Sequence, residues 1–451
     1  MTEQVEKKET FLGTDPIRKL LLRLSAPAFT GMMVMATYNL ADTIFVGQGV
    51  GPLGIAGLTI AFPIQMVVSS FAMALGVGGA SVVSRALGAK DPDKANNAAA
   101  NILGSAFGVG LLIAILGSIL LVPVLKIFGA TPEILPYATD YMELIFLGSP
   151  FLSLAMSGNN LMRAEGNAKM AMYTMLIASL VNLSLDPIFI FALDMGIRGA
   201  ALATVIAHIC AATFMFLYFF LKKSALKLVP RYFIPNWPIL GEIAAIGSSS
   251  FARGASGSIV AILLNHLLGS YGGNLAIAAY GLLGRVLMFT FMPVIGIAQG
   301  FQPIAGFNFG AHKIKRVREV LRLSITISSF FSFVSFAILF LFPEIIFKVF
   351  TTDEELLRIT VDAVRMAILA FPLVGFQVIG ASLYQALGKA IPALILALSR
   401  QLLFFIPMLL VLPPVMGLSG IWYAFPAADV LSAGVTGFML FRELRELKAM
   451  E

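Results

Sequence analysis

Twelve apolar segments of about 20 residues recur along this chain, with short polar loops between them. A water-soluble core has no room for so many. Their approximate spans are 20–46, 54–82, 97–122, 134–158, 169–192, 197–221, 239–268, 275–302, 316–342, 358–386, 390–413 and 417–441. Backbone groups in lipid must pair within their own segment, so each span reads as a helix. The composition agrees: of 451 residues 59% are hydrophobic and 12% charged, against about 25% charged in soluble domains. The expected fold is all-α and integral to the membrane, with twelve transmembrane helices.

Charge sets the orientation. Of 31 Lys and Arg residues, 23 fall on one side of this layout. They are Lys7, Lys8, Arg18, Lys19 and Arg23 at the amino end, then Arg85, Lys90, Lys94, Arg163, Lys169, Lys222, Lys223, Lys227 and Arg231. Lys313, Lys315, Arg316, Arg318, Arg322, Lys389, Arg442, Arg445 and Lys448 complete that side. The other side carries Lys126, Arg198, Lys348 and Arg358, while Arg253, Arg285, Arg365 and Arg400 fall inside spans. The bias predicts both termini in the cytoplasm of a multi-pass cell-membrane protein. It also accounts for the net charge of +7 without nucleic acid. No cleavable signal peptide is expected, because the amino end lacks a separate short apolar core and cleavage site. The single Cys210 excludes an intramolecular disulfide.

The chain repeats itself. A shift of 222 residues lays Ile55 on Ile277, Ala56 on Ala278, Gly78 on Gly300, Gly88 on Gly310, Ala89 on Ala311 and Glu133 on Glu355. Pro150 then meets Pro372, Gly158 meets Gly380 and Gly166 meets Gly388; after a one-residue gap Gly196 and Gly199 meet Gly417 and Gly420. Six spans per half start both halves on the same side. The expectation is two six-helix lobes, 1–222 and 239–451, related by a pseudo-twofold axis along the membrane normal and joined by a cytoplasmic linker, 223–238.

The repeat is also an internal control. Asp42 aligns with Leu264, Asn182 with Phe404 and Asp186 with Met408, so the scaffold does not need these polar groups. An Asp at the centre of a membrane helix costs about 2.5–3.5 kcal/mol, and such residues face a protein interior or a water-filled cavity. Tyr38 and Asp42 are four apart and share a helix face, as do Asn182 and Asp186, and Thr204 and His208. Tyr141 and Asn159 add polar groups to the fourth span. Converging, these side chains would make a cation-exchange site. A pair of close carboxylates takes up and releases a proton as a unit. The same oxygens suit a hard cation such as Na⁺, and the sequence does not choose between the two. Plainer readings stand beside these: an interfacial Asp42, an Asp186 that satisfies groups at a Pro187 kink, a Thr204 bonded to its own backbone, and packed His208 and His266. Asp362 and Asp429 read as span-end residues or partners of Arg365 or Arg400. Pro27, about four turns before Asp42, reads as a hinge or a static kink.

These residues resemble those of the multidrug and toxic compound extrusion (MATE) family, more narrowly its DNA-damage-inducible-F-type branch. The carriers are Pro27, Tyr38-Asn39-Leu40-Ala41-Asp42 with Gly47, Ser84-Arg85-Ala86-Leu87-Gly88-Ala89 and Arg163-Ala164-Glu165-Gly166-Asn167. Asn182 to Pro187 and Gly196-Ile197-Arg198-Gly199-Ala200-Ala201 complete them. The resemblance covers roughly residues 17 to 445. It implies an antiporter that exports amphipathic, often cationic compounds in exchange for H⁺ or Na⁺, working as a monomer with no other cofactor. It implies that Asp42, Asn182, Asp186 and Thr204 form the cation site, that Tyr38, Tyr141 and Asn159 line the cavity, and that the helix of Pro27 bends. One departure stands out. Another branch places an acid in the seventh span, where this chain reads Phe251-Ala-Arg-Gly-Ala-Ser-Gly-Ser258, with Arg253 and no carboxylate. The competing readings are a lipid-linked oligosaccharide flippase of the same superfamily, a major-facilitator transporter, and an integral membrane enzyme. The last lacks any visible metal-ligand cluster, nucleophile elbow or phosphate loop.

Overall fold

The computed structural model describes residues 11–221 and 224–451; Lys7, Lys8, Lys222 and Lys223 of the charge count lie outside them. The described chain is helical, with no strand among the described residues. The first half holds α1 (Ile17–Gly49), α2 (Pro52–Gly88), α3 (Pro92–Ile119), α4 (Leu135–Ala164), α5 (Ala168–Ala192) and α6 (Gly196–Phe220). The second holds α7 (Trp237–Gly310), α8 (Ile314–Leu341), α9 (Glu354–Ala367), α10 (Val374–Leu387), α11 (Ala390–Met416) and α12 (Leu418–Ala449).

The expected twelve spans are present with three adjustments. α7 carries two of them, because Gly273 breaks the helix at φ 64° and ψ −160°, a setting open in practice only to glycine. α9 and the segment leading through α10 form one span, bent by 50°. α4 is less apolar than its neighbours because Asp140 and Glu143 face Arg198 of α6, at 3.8 and 3.6 Å. Arg163 is no loop cation either. It lies inside α4, 7% exposed, and donates to Asn160 Oδ1 at 3.0 Å.

The repeat is visible in the packing. Each half's fifth helix loosens into a π-helical stretch beside a proline: Ile188–Ala192 follows Pro187 in α5, and Ser399–Phe405 precedes Pro407 in α11. Matched glycines also serve matched contacts. A Cβ at Gly88 would overlap the carbonyl of Phe307, and one at Gly310 would overlap the carbonyl of Arg85, the residue equivalent to Phe307. Gly78 sits against the backbone around Ile243 and Gly247, and Gly300 against Ser25, the residue equivalent to Gly247. These two coincident pairs, Gly78 with Gly300 and Gly88 with Gly310, are thus places where the halves come close to each other's main chain.

Buried apolar side chains show where the halves join. One large cluster draws on both: Leu20, Val83 and Leu161 pack with Ile243, Phe301 and Leu383. It lies at the end that carries the chain termini. Towards the other end the core divides into a second-half cluster around Val260, Leu283 and Trp422 and a first-half cluster around Val46, Ile64, Tyr141 and Ile190. The apolar cores of the halves therefore separate away from the termini and leave a cleft beside the line where α2 and α7 stay in contact, Ser258 Oγ donating to the Pro63 carbonyl at 3.3 Å. Met32 and Ala36 of the first half pack on Met292 of the second.

Polar bonds close the terminal end. Arg85 of α2 bonds Glu242 of α7 at 2.8 Å, and Lys94 of α3 reaches the same carboxylate at 3.0 Å. Ser81 donates to the carbonyl of Gln385. The connection between the halves is held to the first: Lys227 N donates to Asn96 Oδ1 at 2.7 Å, Asn236 N donates to Asn101 Oδ1 at 2.9 Å, and Asn101 Nδ2 donates to Tyr232 O at 2.8 Å.

Candidate functional site

Asp186 is the most deeply placed acid of the first half, with no exposed surface. It sits where α5 changes pitch: Pro187 supplies no N–H, and the wider turn follows at once. One turn earlier, Asn182 is 1% exposed and spends both amide hydrogens locally. Its Nδ2 donates to Asp186 Oδ1 at 3.4 Å and to Thr204 Oγ1 of α6 at 3.1 Å. Asp42 of α1 meets this group from the other side, its carboxyl within hydrogen-bonding reach of that of Asp186. Tyr38, one turn before Asp42, and Tyr141 of α4 are electrostatic neighbours of both acids. The four residues expected to hold the cation are thus brought together from three helices, with two tyrosines beside them.

Three oxygens in the group are buried without a hydrogen-bond partner: Asp42 Oδ1, Asn182 Oδ1 and Asp186 Oδ2. Buried polar atoms are ordinarily paired, and leaving one unpaired costs about 1–3 kcal/mol. With Thr204 Oγ1 they form a donor set of oxygens alone. That set suits a proton between the carboxyls or a small hard cation. Among the described residues no group of three or more His, Cys, Asp or Glu side chains forms a transition-metal site.

Asn159 is not gathered with them. It is 6% exposed and donates to the carbonyl of Ala171 at 2.5 Å, so it ties α4 to α5 about 16 Å along that helix from Asn182. Its place is a helix-to-helix strut, not the cavity wall expected of it. His208 is half-buried and makes no hydrogen bond to the acids among the described residues. Pro27 lies inside α1, which runs unbroken past it. Two neighbours were missed in the sequence. Gln65 of α2 donates to the Tyr141 hydroxyl at 3.1 Å, and Ser179, one turn before Asn182, is 2% exposed with an unpartnered hydroxyl. The repeat control finds the first, since Gln65 aligns with Leu287. It cannot find Ser179, which aligns with the polar Gln401.

The second half has a polar group of another kind. Arg400 Nε bonds Asp429 Oδ1 at 2.6 Å, and Arg400 lies over the ring of Phe291, 5.5 Å from its centre. Gln377 Nε2 donates to the Asp429 carbonyl at 2.7 Å. The expected pairing of Asp429 with Arg400 is therefore present. Asp362 and Arg365 are both exposed and form no ion pair with each other among the described residues.

The family model MatE matches residues 27–188 and 254–411, one segment in each half. The chain belongs to the MATE family. Among its curated relatives, the multidrug export protein MepA of Staphylococcus haemolyticus (strain JCSC1435) is 28% identical and aligns over 94% of this chain and 93% of its own length. Among solved structures, the outward-facing conformation of a multidrug resistance MATE family transporter of the MOP superfamily is 28% identical. It superposes with a TM-score of 0.92 and covers 98% of this chain and 99% of its own. A MATE in the bent conformation matches as well, at 28% identity and a TM-score of 0.92, over 98% of both chains. Membership in the MATE family sets the major-facilitator reading aside.

Proposed function

We propose that this MATE-family protein is a secondary antiporter that exports amphipathic, often cationic compounds in exchange for H⁺ or Na⁺ by alternating access. One observation carries the reading. Two carboxyls meet inside a single lobe, with three buried oxygens that lack partners, beside a cleft that separates two halves. Two carboxyls within hydrogen-bonding reach of each other favour a proton or cation between them. When that charge leaves, Asp42 and Asp186 repel, and α1 and α5 are the elements that feel it. Asn182 keeps Asp186 and Thr204 in register through the change. Tyr38 and Tyr141 give a cationic aromatic solute both ring faces and hydroxyls. A substrate cation and the coupling ion then compete for one pair of acids, which is the essence of exchange.

The mechanical frame is two lobes, 1–222 and 239–451, rocking about the segment 223–238, with α1 bending at Pro27. The charge bias supports cytoplasmic termini in the cell membrane, and with that orientation the cleft opens to the outside. The names of the MepA relatives support the substrate class. The narrower DNA-damage-inducible-F-type assignment rests on the same motifs, from Pro27 and residues 38–42 to residues 196–201, and the absence of a carboxylate from Phe251 to Ser258 speaks against a second-lobe sodium site. The flippase alternative draws on the intramembrane arginines and predicts binding of an anionic lipid-linked sugar without protection against cationic dyes.

The test is transport by purified protein in liposomes under separately imposed pH and sodium gradients, with rhodamine 123 as the cationic solute. Dye movement driven by one gradient supports antiport and names the ion. No movement under either gradient would remove the reading.

A further inference from the structure

Arg253, like Arg285, is a charge of α7 without an ion pair among the described residues, and it is the one that lies near a second guanidinium. It is exposed, and among the described residues it makes no ion pair and no hydrogen bond. An arginine at this depth facing lipid would cost about 2.5–3.5 kcal/mol or more. Its surroundings are not lipid. Gly257, one turn on and on the same helix face, has room for a Cβ only beside Met66 of the first half, at 3.3 Å, and Gln401 of α11, at 3.8 Å. The face that carries Arg253 therefore borders the space between the halves. Two residues before it, Phe251 meets Phe71 of α2 across the seam, with ring centres 4.6 Å apart.

The same wall holds a second guanidinium. Arg400, next to Gln401, lies within electrostatic range of Arg253. Among the described residues the only carboxylate in contact with either is Asp429. Arg400 Nε takes its Oδ1 at 2.6 Å, and the Asp429 side chain is 5% exposed and turned into the protein. The Arg400 side chain is 34% exposed. One acid against two guanidiniums leaves a full positive charge on a wall that water can reach. Flat apolar surface lies beside it in Phe291, under Arg400. Gln401 Oε1 is buried without a partner, so its amide is free to reorient towards a ligand.

We propose that Arg253 and Arg400 form an anion subsite on the second-half wall of the cleft, which receives the carboxylate of an amphipathic aromatic solute. The planar guanidinium fork matches a carboxylate in two parallel hydrogen bonds, and the Phe291 ring takes the solute's body. The acids of the first half then receive a basic group of the same solute, or none. The cleft is dipolar, and its substrate class extends from cations to zwitterions and acidic amphiphiles. This deepens the transport reading, yet it is tested by equilibrium binding without gradients, so failure of dye export and failure of the subsite are separate results.

The experiment uses the full chain in phosphatidylcholine nanodiscs and two probes with one body. Rhodamine 110 carries a free carboxylate, and rhodamine 123 is its methyl ester. Fluorescence anisotropy gives both affinities for the wild type, Arg253→Gln and Arg253→Lys. The expected result is a loss of at least about tenfold for rhodamine 110 in Arg253→Gln, the scale of one charged hydrogen bond. Rhodamine 123 should stay within about twofold of wild type, which also shows that the variant is folded, and Arg253→Lys should recover part of the loss. Equal losses for both probes, no loss for either, or no binding of rhodamine 110 by the wild type would overturn the proposal. So would a loss of rhodamine 110 binding when phosphatidylglycerol replaces part of the phosphatidylcholine, because the two arginines would then belong to a lipid headgroup.

Discussion

Gly88 and Gly310 occupy equivalent places in the two halves, and each lies against the main chain of the other half where its own Cβ would be. Neither position has φ above zero, so glycine is there for closeness and not for backbone freedom. Gly88→Val should cost about 1–3 kcal/mol of the closed terminal end, as overpacking does elsewhere. Spin labels on the two halves at that end should report a longer separation, and thermal unfolding an earlier midpoint. An unchanged separation would mean that the seam is held by something else.

Asp42→Asn and Asp186→Asn should each insert normally, since a neutral amide is cheaper in a membrane than a carboxylate. Each should lower gradient-driven transport by at least about tenfold, the scale of one lost charged contact. Thr204→Ala removes only the acceptor of one amide bond and should cost about 1 kcal/mol, a smaller defect. Initial rates in liposomes, normalised to reconstituted protein, give the ranking. A Thr204→Ala defect larger than that of Asp186→Asn would reverse the assignment of the charged step.

Arg400→Met strands Asp429, whose side chain is 5% exposed, without its partner at 2.6 Å. The cost should reach about 3 kcal/mol, at the low end for broken buried pairs because Arg400 itself is partly solvated. Adding Asp429→Leu should return most of it, since apolar residues often replace such pairs without loss. Thermal midpoints of the single and double variants decide. Failure of the second change to rescue the first would show that Arg400 acts through Phe291 packing instead.

Glu242→Gln cuts the carboxylate shared by Arg85 and Lys94. Both bonds are partly exposed, so together they should be worth about 1 kcal/mol and should weaken in high salt. Alkylation of a cysteine placed at Ser81, which bonds Gln385 across the closed end, should speed up about fivefold in this variant. The wild type should approach the same rate as ionic strength rises. A salt-independent rate would argue that the pair contributes nothing to closure.

The helices were legible because each must satisfy its own backbone in lipid, so length and apolarity suffice to find them. The break between the spans 239–268 and 275–302 was legible as well; that one residue, Gly273, makes it through its backbone setting was not. α4 read as an apolar span despite Asp140 and Glu143, whose partner Arg198 lies in another helix. Asp42, Asn182 and Asp186 could be singled out because the second half supplies a copy without them. Asn159 looked the same in sequence, and only its bond to the Ala171 carbonyl tells a strut from a binding group. Arg163 counts as a loop charge until the length of α4 is known.

The glycine seam has a kinetic consequence. Carbonyl oxygens there are already bonded within their own helices, so separating the surfaces strands no donor or acceptor. At the glycines themselves there are no side chains to let go one rotamer at a time; only the Glu242 pairs and the Ser81 bond beside them can do that. Once those few bonds have gone, the backbone contact is shut or it is not.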